Sequence, residues 1–311
     1  VAMQLAKPAK TNPRAIAAAL ADQLSGTPGI AGVEIAGPGF LNIRIEAAAQ
    51  GVLAEAAVVA GAEYGRGDAL AGKRFNVEFI SANPTGPLHL GHTRWAAVGD
   101  AIASVLSAAG ADVDRESYID DRGVQMDMFG ASLRAAALGL PTPENGYRGA
   151  YIAELAAEIV AEDAAILELP EDEQFVAFRE AGYRLQLAQQ QDTLNTFHTY
   201  FDTWFSERSL HADGGVERAL EKLRAQGHVY ELDDAVWLRT TDFDDDKDRV
   251  LIKANGDLTY FASDCAYYVD KRDRGFDTNL YLLGADHHGY VNRLRAVSAC
   301  AGDDPEVAIE V

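Results

Sequence analysis

Residues 75–92 read FNVEFISANPTGPLHLGH, and the segment after them, TRWAAVGDAIASVLSAAG, carries small and apolar residues at helical spacing up to Gly110. FNVEFI is short, apolar and β-branched enough for a buried strand. The two prolines and two glycines that follow cannot continue it. Gly110 is a natural helix stop, and DVDRESYI beyond it spells another strand. Strand, glycine-bearing loop, helix and strand make a βαβ unit, whose crossover is right-handed in nearly all proteins. The stretch therefore predicts an α/β fold built on a parallel sheet.

A helix starting just after His92 would aim its free N–H groups and positive dipole end back into the loop. That is a site for anions such as phosphates. His89 and His92, three residues apart, could both face it, and Gly91 between them would let a flat base or ribose approach the backbone. Imidazoles placed there could stabilise charge on a departing pyrophosphate. Taken alone, H-x-G-H is also compatible with a surface turn holding two incidental histidines.

Upstream, NPRAIAAALADQL is a helix with Asn12 as cap and Pro13 in the first turn. GVEIA and GFLNIRI are strands around Gly37-Pro38-Gly39, and a second alanine-rich helix covers about 47–62. GAEYGRGDALAGK, with four glycines, is a linker. Downstream, GVQMDMFGASLRAAALG, AYIAELAAEIVAED, a long segment from Glu171 to Trp204, and VERALEKLRAQG are helical. Strand patterns return in HVYELDDAVWLRT, DRVLIKANGDLTY and TNLYLLGA, the last apolar enough for a central parallel strand. The expected organisation is a small α+β domain at 1–66, a first catalytic half at 67–135, a mainly helical insertion at 136–228 and a second half at 229–311.

Charge and cysteines bound the function classes. The net charge of −21 argues against a broadly basic nucleic-acid surface, though not against a local basic patch. Only two cysteines occur, Cys265 and Cys300, without paired metal spacing. That suits a reducing cytoplasm and offers neither a disulfide framework nor a zinc site. No apolar run is long enough to span a bilayer. The acidic run TDFDDDKD lacks the glycine and terminal glutamate of a calcium loop. His198, His211 and His228 are isolated, and Phe197, Tyr200, Phe201, Trp204 and Phe205 form a stripe at near-helical spacing that suits packing better than base stacking.

The H-x-G-H loop resembles the HIGH signature of class I aminoacyl-tRNA synthetases. VEFISANPTGPLHLGHTRWAAVGDAI followed by YIDDRGVQ is similar to the catalytic start of the arginyl-tRNA synthetase family. DDKDRVLIKANGDLTYFASDCAYYVDK followed by LYLLGADHHGYVNRL resembles the same family further on. The likeness covers roughly residues 75–311, and residues 1–65 resemble part of the N-terminal domain with which this family touches the tRNA elbow. It implies a Rossmann-like nucleotide-binding catalytic domain with a helical connective insertion, and a cytoplasmic, monomeric, ATP-dependent ligase that charges tRNA-Arg with L-arginine.

The resemblance also assigns roles. Glu78, Ser81 and Asn83 match positions that contact the amino acid, and Tyr260 and Asp264 match those at its guanidinium. His89, Gly91 and His92 match the ATP signature, with the histidines catalytic. Gly284, Asp286, His287 and His288 would complete the ATP side, Asp286 also touching the amino acid. Mg²⁺ would arrive with ATP, and no structural metal is implied. The set is chemically sensible in itself, because a planar cation with five donors is best met by carboxylates, here Glu78 and Asp264. Without the family, Tyr260 and Asp264 could equally be a core tyrosine at a strand end and a helix-capping aspartate.

One position departs from many members. Those without the lysine-rich KMSKS signature carry a lysine three residues before the first signature histidine, where this chain has Gly86. The subgroup implied is one with a lysine-rich loop downstream. No such loop and no anticodon-binding domain precede Val311, so the chain is expected to be a piece of a longer enzyme with impaired adenylation. The alternative is a non-catalytic tRNA-binding or regulatory module derived from a class I synthetase. Another class I enzyme such as the cysteine one is disfavoured by the missing zinc ligands, and a small adenylyltransferase by the long insertion.

Overall fold

After a short helix α1 (Ala2–Ala6), Pro13 opens α2 (Pro13–Leu24) at the one place where a missing N–H costs nothing. Asn12 caps it as expected, its Oδ1 accepting from the Arg14 N–H at 2.8 Å. Strands β1 (Ile30–Ala36) and β2 (Phe40–Ile45) pair antiparallel, and α3 (Ala47–Ala60) follows. The structure, a computed structural model, describes residues 1–284 and 289–311. It divides into two units, Val1–Arg66 and Gly67–Val311.

The second unit opens with β3 (Arg74–Glu78), α4 (Leu90–Ala108) and β4 (Asp112–Ile119). β3 and β4 are parallel neighbours, Arg74 opposite Asp112 through Glu78 opposite Glu116. Helices α5 (Gly123–Ala137), α6 (Ala150–Glu162) and α7 (Glu171–Thr196) then form a layer with its own core, in which Phe129 and Leu133 meet Leu155, Ile159 and Phe178.

At this point the expected long helix ends early. α7 stops at Thr196, and β5 (Thr203–Ser206) joins the sheet parallel to β4. The aromatic stripe is therefore not helical. Phe201 packs on Phe79 at 4.4 Å and on Trp204 at 5.1 Å, while Phe205 meets Tyr267 at 4.7 Å. Burying these rings against the sheet outweighs a helical spacing that is only a weak local preference. Phe197 and Tyr200 stay exposed.

Helices α8 (Glu207–Ala212) and α9 (Gly215–Ala225) lead to a small antiparallel sheet of β6 (Val229–Leu232), β7 (Ala235–Leu238) and β8 (Arg249–Ile252). Then come α10 (Tyr260–Asp273), β9 (Thr278–Tyr281), α11 (Val291–Cys300), α12 (Pro305–Ala308) and β10 (Ile309–Glu310). The expected strand through Tyr260 is thus corrected: β8 ends at Ile252, and Tyr260 begins a helix. Among the described residues no helix is long and apolar enough to cross a membrane.

The main sheet runs β10-β9-β3-β4-β5, all parallel. From β3 the chain moves outward to β4 and β5, then returns to β9 on the other flank of β3. That reversal leaves a crevice at the carboxyl ends of β3 and β9, where open α/β sheets bind ligands.

Helix α4 reaches the sheet because Gly99 has no side chain. A Cβ there would lie 2.3 Å from the Phe79 ring, itself 1% exposed and wedged against Phe201. The Gly99→Ala variant is expected to lose about 1–3 kcal/mol of stability, despite alanine's better helix propensity. Urea unfolding followed by circular dichroism checks this, and an unchanged midpoint would count against so tight a seat.

Candidate active site

Helix α4 begins three residues earlier than the spacing implied, because His89 caps it. The Gly91 N–H donates to His89 Nδ1 at 3.1 Å, and the His89 N–H donates to His92 Nδ1 at the same distance. The His92 N–H goes to the His89 carbonyl at 2.8 Å. The donors of the first turn are therefore partly used by the histidines themselves, which corrects the picture of a turn with all its N–H groups free. Each Nδ1 accepts, so each neutral ring carries its proton on Nε2, pointing away from the backbone. The rings lie 4.0 Å apart. Burial, and then the neighbouring His89, hold His92 below the ordinary imidazole range, so it is neutral at pH 7.

The insertion grips the loop before this helix. Gln190 on α7, 3% exposed, donates to the carbonyls of Asn83 at 3.1 Å and Gly86 at 2.8 Å. Tyr151 on α6 donates to the Thr85 carbonyl at 3.1 Å, and Asn83 Nδ2 donates to Gln125 on α5. Ser81, Asn83, Gly86, His92 and Gln190 line one hollow of about 350 Å³. An adjoining hollow of about 380 Å³ is lined by Leu88, His89, Leu90, His92 and Thr93, with the end of α7 opposite.

Beneath them the chain bends sharply. Ile80 has φ +52, a left-handed conformation that costs a β-branched residue about 1–3 kcal/mol and is common at functional sites. The bend lets the Ser81 hydroxyl donate back to Glu78 Oε1 at 2.7 Å. Glu78 Oε2 receives Lys271 Nζ at 2.6 Å. Both oxygens of Glu78 are therefore engaged from inside the protein. Of the two carboxylates that the sequence offered to a guanidinium, Glu78 thus already holds a cation of the protein itself.

A third cavity, about 570 Å³, opens at the carboxyl ends of β4 and β5, lined by Arg122, Glu207, His211, Lys253, Tyr260 and Ser263. Thr259 caps α10, so Tyr260 is its first residue and Asp264 follows one turn later on the same face. Tyr260 is 69% exposed and Asp264 partly buried. That arrangement is the reverse of a core tyrosine with a capping aspartate. Burial raises the Asp264 carboxyl to about 6, in spite of the Tyr290 hydroxyl that donates to it and the nearby Arg293, with Glu78 and Asp120 adding repulsion.

The sequence reading missed Glu207, which lay inside the supposed helical insertion. It is 4% exposed at the first position of α8. Burial first, and then the neighbouring Asp120 carboxyl, raise Glu207 to about 7, and Asp120 is raised as well. Only the pairing of β5 with β4, with the Arg208 N–H donating to Asp121 Oδ1 at 3.1 Å just beyond the two strands, puts Glu207 beside Asp120. Lys271, Gln190 and Gln125 were missed too. Lys271 stood in a quoted stretch, but nothing in its spacing marked it.

Gly284 follows β9 at the crevice, where the Leu282 N–H donates to the Glu78 carbonyl at 2.9 Å. Asp286, His287 and His288 lie outside the described residues. Ser81, Asn83 and His92 thus share one hollow, and Tyr260 and Glu207 another, with Glu78 at the sheet end.

Comparison with known proteins bears on these hollows. Residues 1–45 match the family described as arginyl tRNA synthetase N terminal domain, and residues 55–311 the one described as tRNA synthetases class I (R), catalytic domain. The chain is 58% identical over all 311 residues to an arginine--tRNA ligase of Renibacterium salmoninarum and 57% identical to one of Paenarthrobacter aurescens. It spans 57% of the length of each. A crystal structure of an arginyl-tRNA synthetase from Campylobacter jejuni is similar at TM-score 0.77 and 31% identity, over 84% of this chain and 58% of that one. The Thermus thermophilus arginyl-tRNA synthetase shares the fold, at TM-score 0.69 and 23% identity over 99% of this chain and 58% of its own.

Proposed function

The chain belongs to the class I arginyl-tRNA synthetase family, and on that footing we propose that the whole protein activates L-arginine with ATP and passes it to tRNA-Arg. Within this chain, Asp264, Tyr260 and Glu207 receive the guanidinium, while Glu78, Ser81 and Asn83 meet the α-ammonium and carboxylate. His89, Gly91 and His92 hold the ATP phosphates. Gly284, Asp286, His287 and His288 close the nucleotide side, Asp286 reaching the amino acid as well. Mg²⁺ comes with the triphosphate, held mainly by phosphate oxygens and water. Residues 1–66 belong to the domain that touches the tRNA elbow, and the protein works as a cytoplasmic monomer.

The chemistry asks for placement and charge. An oxygen of the arginine carboxylate attacks the α-phosphorus in line, the bond to the bridging oxygen breaks, and pyrophosphate leaves with the electron pair. A ribose hydroxyl of the tRNA then takes the arginyl group and AMP departs. No enzyme nucleophile is needed. The Nε2–H groups of His89 and His92, fixed by their Nδ1 bonds, are donors directed at charge that grows on the phosphates.

The observation that supports this reading is the cavity lined by Tyr260 and the buried carboxyl of Glu207, with Asp264 one helical turn beyond Tyr260 on α10. Calorimetric titration of the 311-residue chain tests it. Arginine is expected to bind about a hundredfold or more tighter than lysine or cysteine, since a buried carboxylate set penalises a ligand that leaves it unpaired. Retained tRNA binding with no amino-acid binding would favour a non-catalytic module instead.

A further inference from the structure

Arginine carries a cation at each end, an α-ammonium beside a carboxylate and a distant guanidinium. A cavity of uniformly negative charge would accept it in either direction. It would also prefer agmatine, the decarboxylated form, which has two cations and no anion. Discrimination requires the two ends of the cavity to differ in charge.

They do differ, and a wholly buried lysine makes the difference. Lys271 is 0% exposed, its Nζ 2.6 Å from Glu78 Oε2 and 3.8 Å from Glu116 Oε1, above the rings of Tyr267 and Tyr281 at 4.3 and 4.2 Å. Arg274 takes the other charge of Glu116 through bonds of 2.6 and 3.0 Å. Arg274 also binds Asp270 at 2.8 Å and lies 3.7 Å from Asp114, whereas the charge of Lys271 falls chiefly on Glu78, which it balances. Toward Tyr260 the pattern reverses. Asp264 accepts from a neutral phenol, Tyr290, and Glu207, 4% exposed, has the Asp120 carboxyl as its neighbour. Arg122 and Lys253 line that cavity and Arg293 stands near Asp264. Among the described residues, however, none of the three carboxyls forms an ion pair with a lysine or arginine.

Such a buried pair adds little net stability, because desolvation offsets the attraction. Its effect on the charge of the crevice is direct. Resting on the assignment of this crevice to arginine, we propose that Lys271 is a positioning residue that sets substrate direction. By neutralising Glu78 it leaves that end suited to an α-ammonium accompanied by its carboxylate, and unsuited to a bare second cation.

The test titrates the 311-residue chain, its Lys271→Gln variant and its Glu78→Gln variant with arginine and with agmatine. Lys271→Gln leaves the end negative and is expected to shift the arginine-to-agmatine preference toward agmatine by about tenfold or more. Glu78→Gln, nearly isosteric, frees the Lys271 charge from its nearest carboxylate and is expected to shift the preference the other way by a similar factor. Structural damage would weaken both ligands in parallel, and parallel loss in the two variants would overturn the proposal. If Lys271→Gln does not fold, Glu78→Gln decides alone, and an unchanged or agmatine-directed preference overturns it. Failure of the unaltered chain to bind arginine at all would remove the site assignment, a result distinct from an unshifted preference.

Discussion

Asp264→Asn is expected to weaken arginine binding by about a hundredfold to a thousandfold, the cost of removing one charged partner from a desolvated guanidinium pair. The substitution keeps the shape and removes the charge. In the unliganded chain that charge is held at a disadvantage, since burial lifts the carboxyl to about 6. Folding stability at pH 8 should therefore stay level or rise in the variant, while binding collapses. Opposite movements of this kind are characteristic of a site whose strain serves function. Calorimetry with arginine, paired with thermal unfolding of the same samples, measures both. A variant that binds arginine as tightly as the parent would remove Asp264 from the guanidinium site. One that loses binding and stability together would make it a structural residue.

Arginine binding is also expected to weaken by about a thousandfold from pH 8 to pH 5, roughly a hundredfold from Glu207 and tenfold from Asp264. The sign follows from the two raised carboxyls, at about 7 and about 6. The guanidinium stays charged throughout, so it pairs only with their ionised forms and must displace the protons held below those values. Binding near pH 6 should release protons, visible as a buffer-dependent heat. The stability of the unliganded chain should slope the other way. Between about pH 4 and 7 the folded state holds protons on these groups that the unfolded chain has already lost, so stability falls as pH rises. Glu116 acts in the opposite sense and only at the acid end, because Lys271 and Arg274 overcome its burial and hold it below the usual carboxylate range. A dissociation constant flat from pH 5 to pH 8 would show that neither carboxyl meets the ligand.

How much of this was legible beforehand depended on the range of the forces involved. The β3–loop–α4–β4 unit was plain in residues 75–119, because apolar runs, prolines and glycines act over a few residues. The pairing of Tyr260 with Asp264 was legible through resemblance, and helical spacing then put them on one face. The start of α4 was misjudged by three residues. Whether a histidine is a cap or merely follows one is settled by a hydrogen bond, not by composition. β5 was lost altogether. Four residues between aromatic neighbours look like the tail of a helix until the edge of β4 offers a ladder.

The sequence by itself determined an α/β fold and its H-x-G-H loop and, through resemblance, singled out the tyrosine and carboxylate proposed to meet the guanidinium, since each is encoded in contiguous residues. Only the tertiary structure decided the charge of the crevice. Glu78 is neutralised by Lys271, 193 positions away, and Glu207 reaches Asp120 only through the pairing of β5 with β4. Electrostatic environment depends on which groups folding brings together and how far it removes them from water, and neither is written in local order.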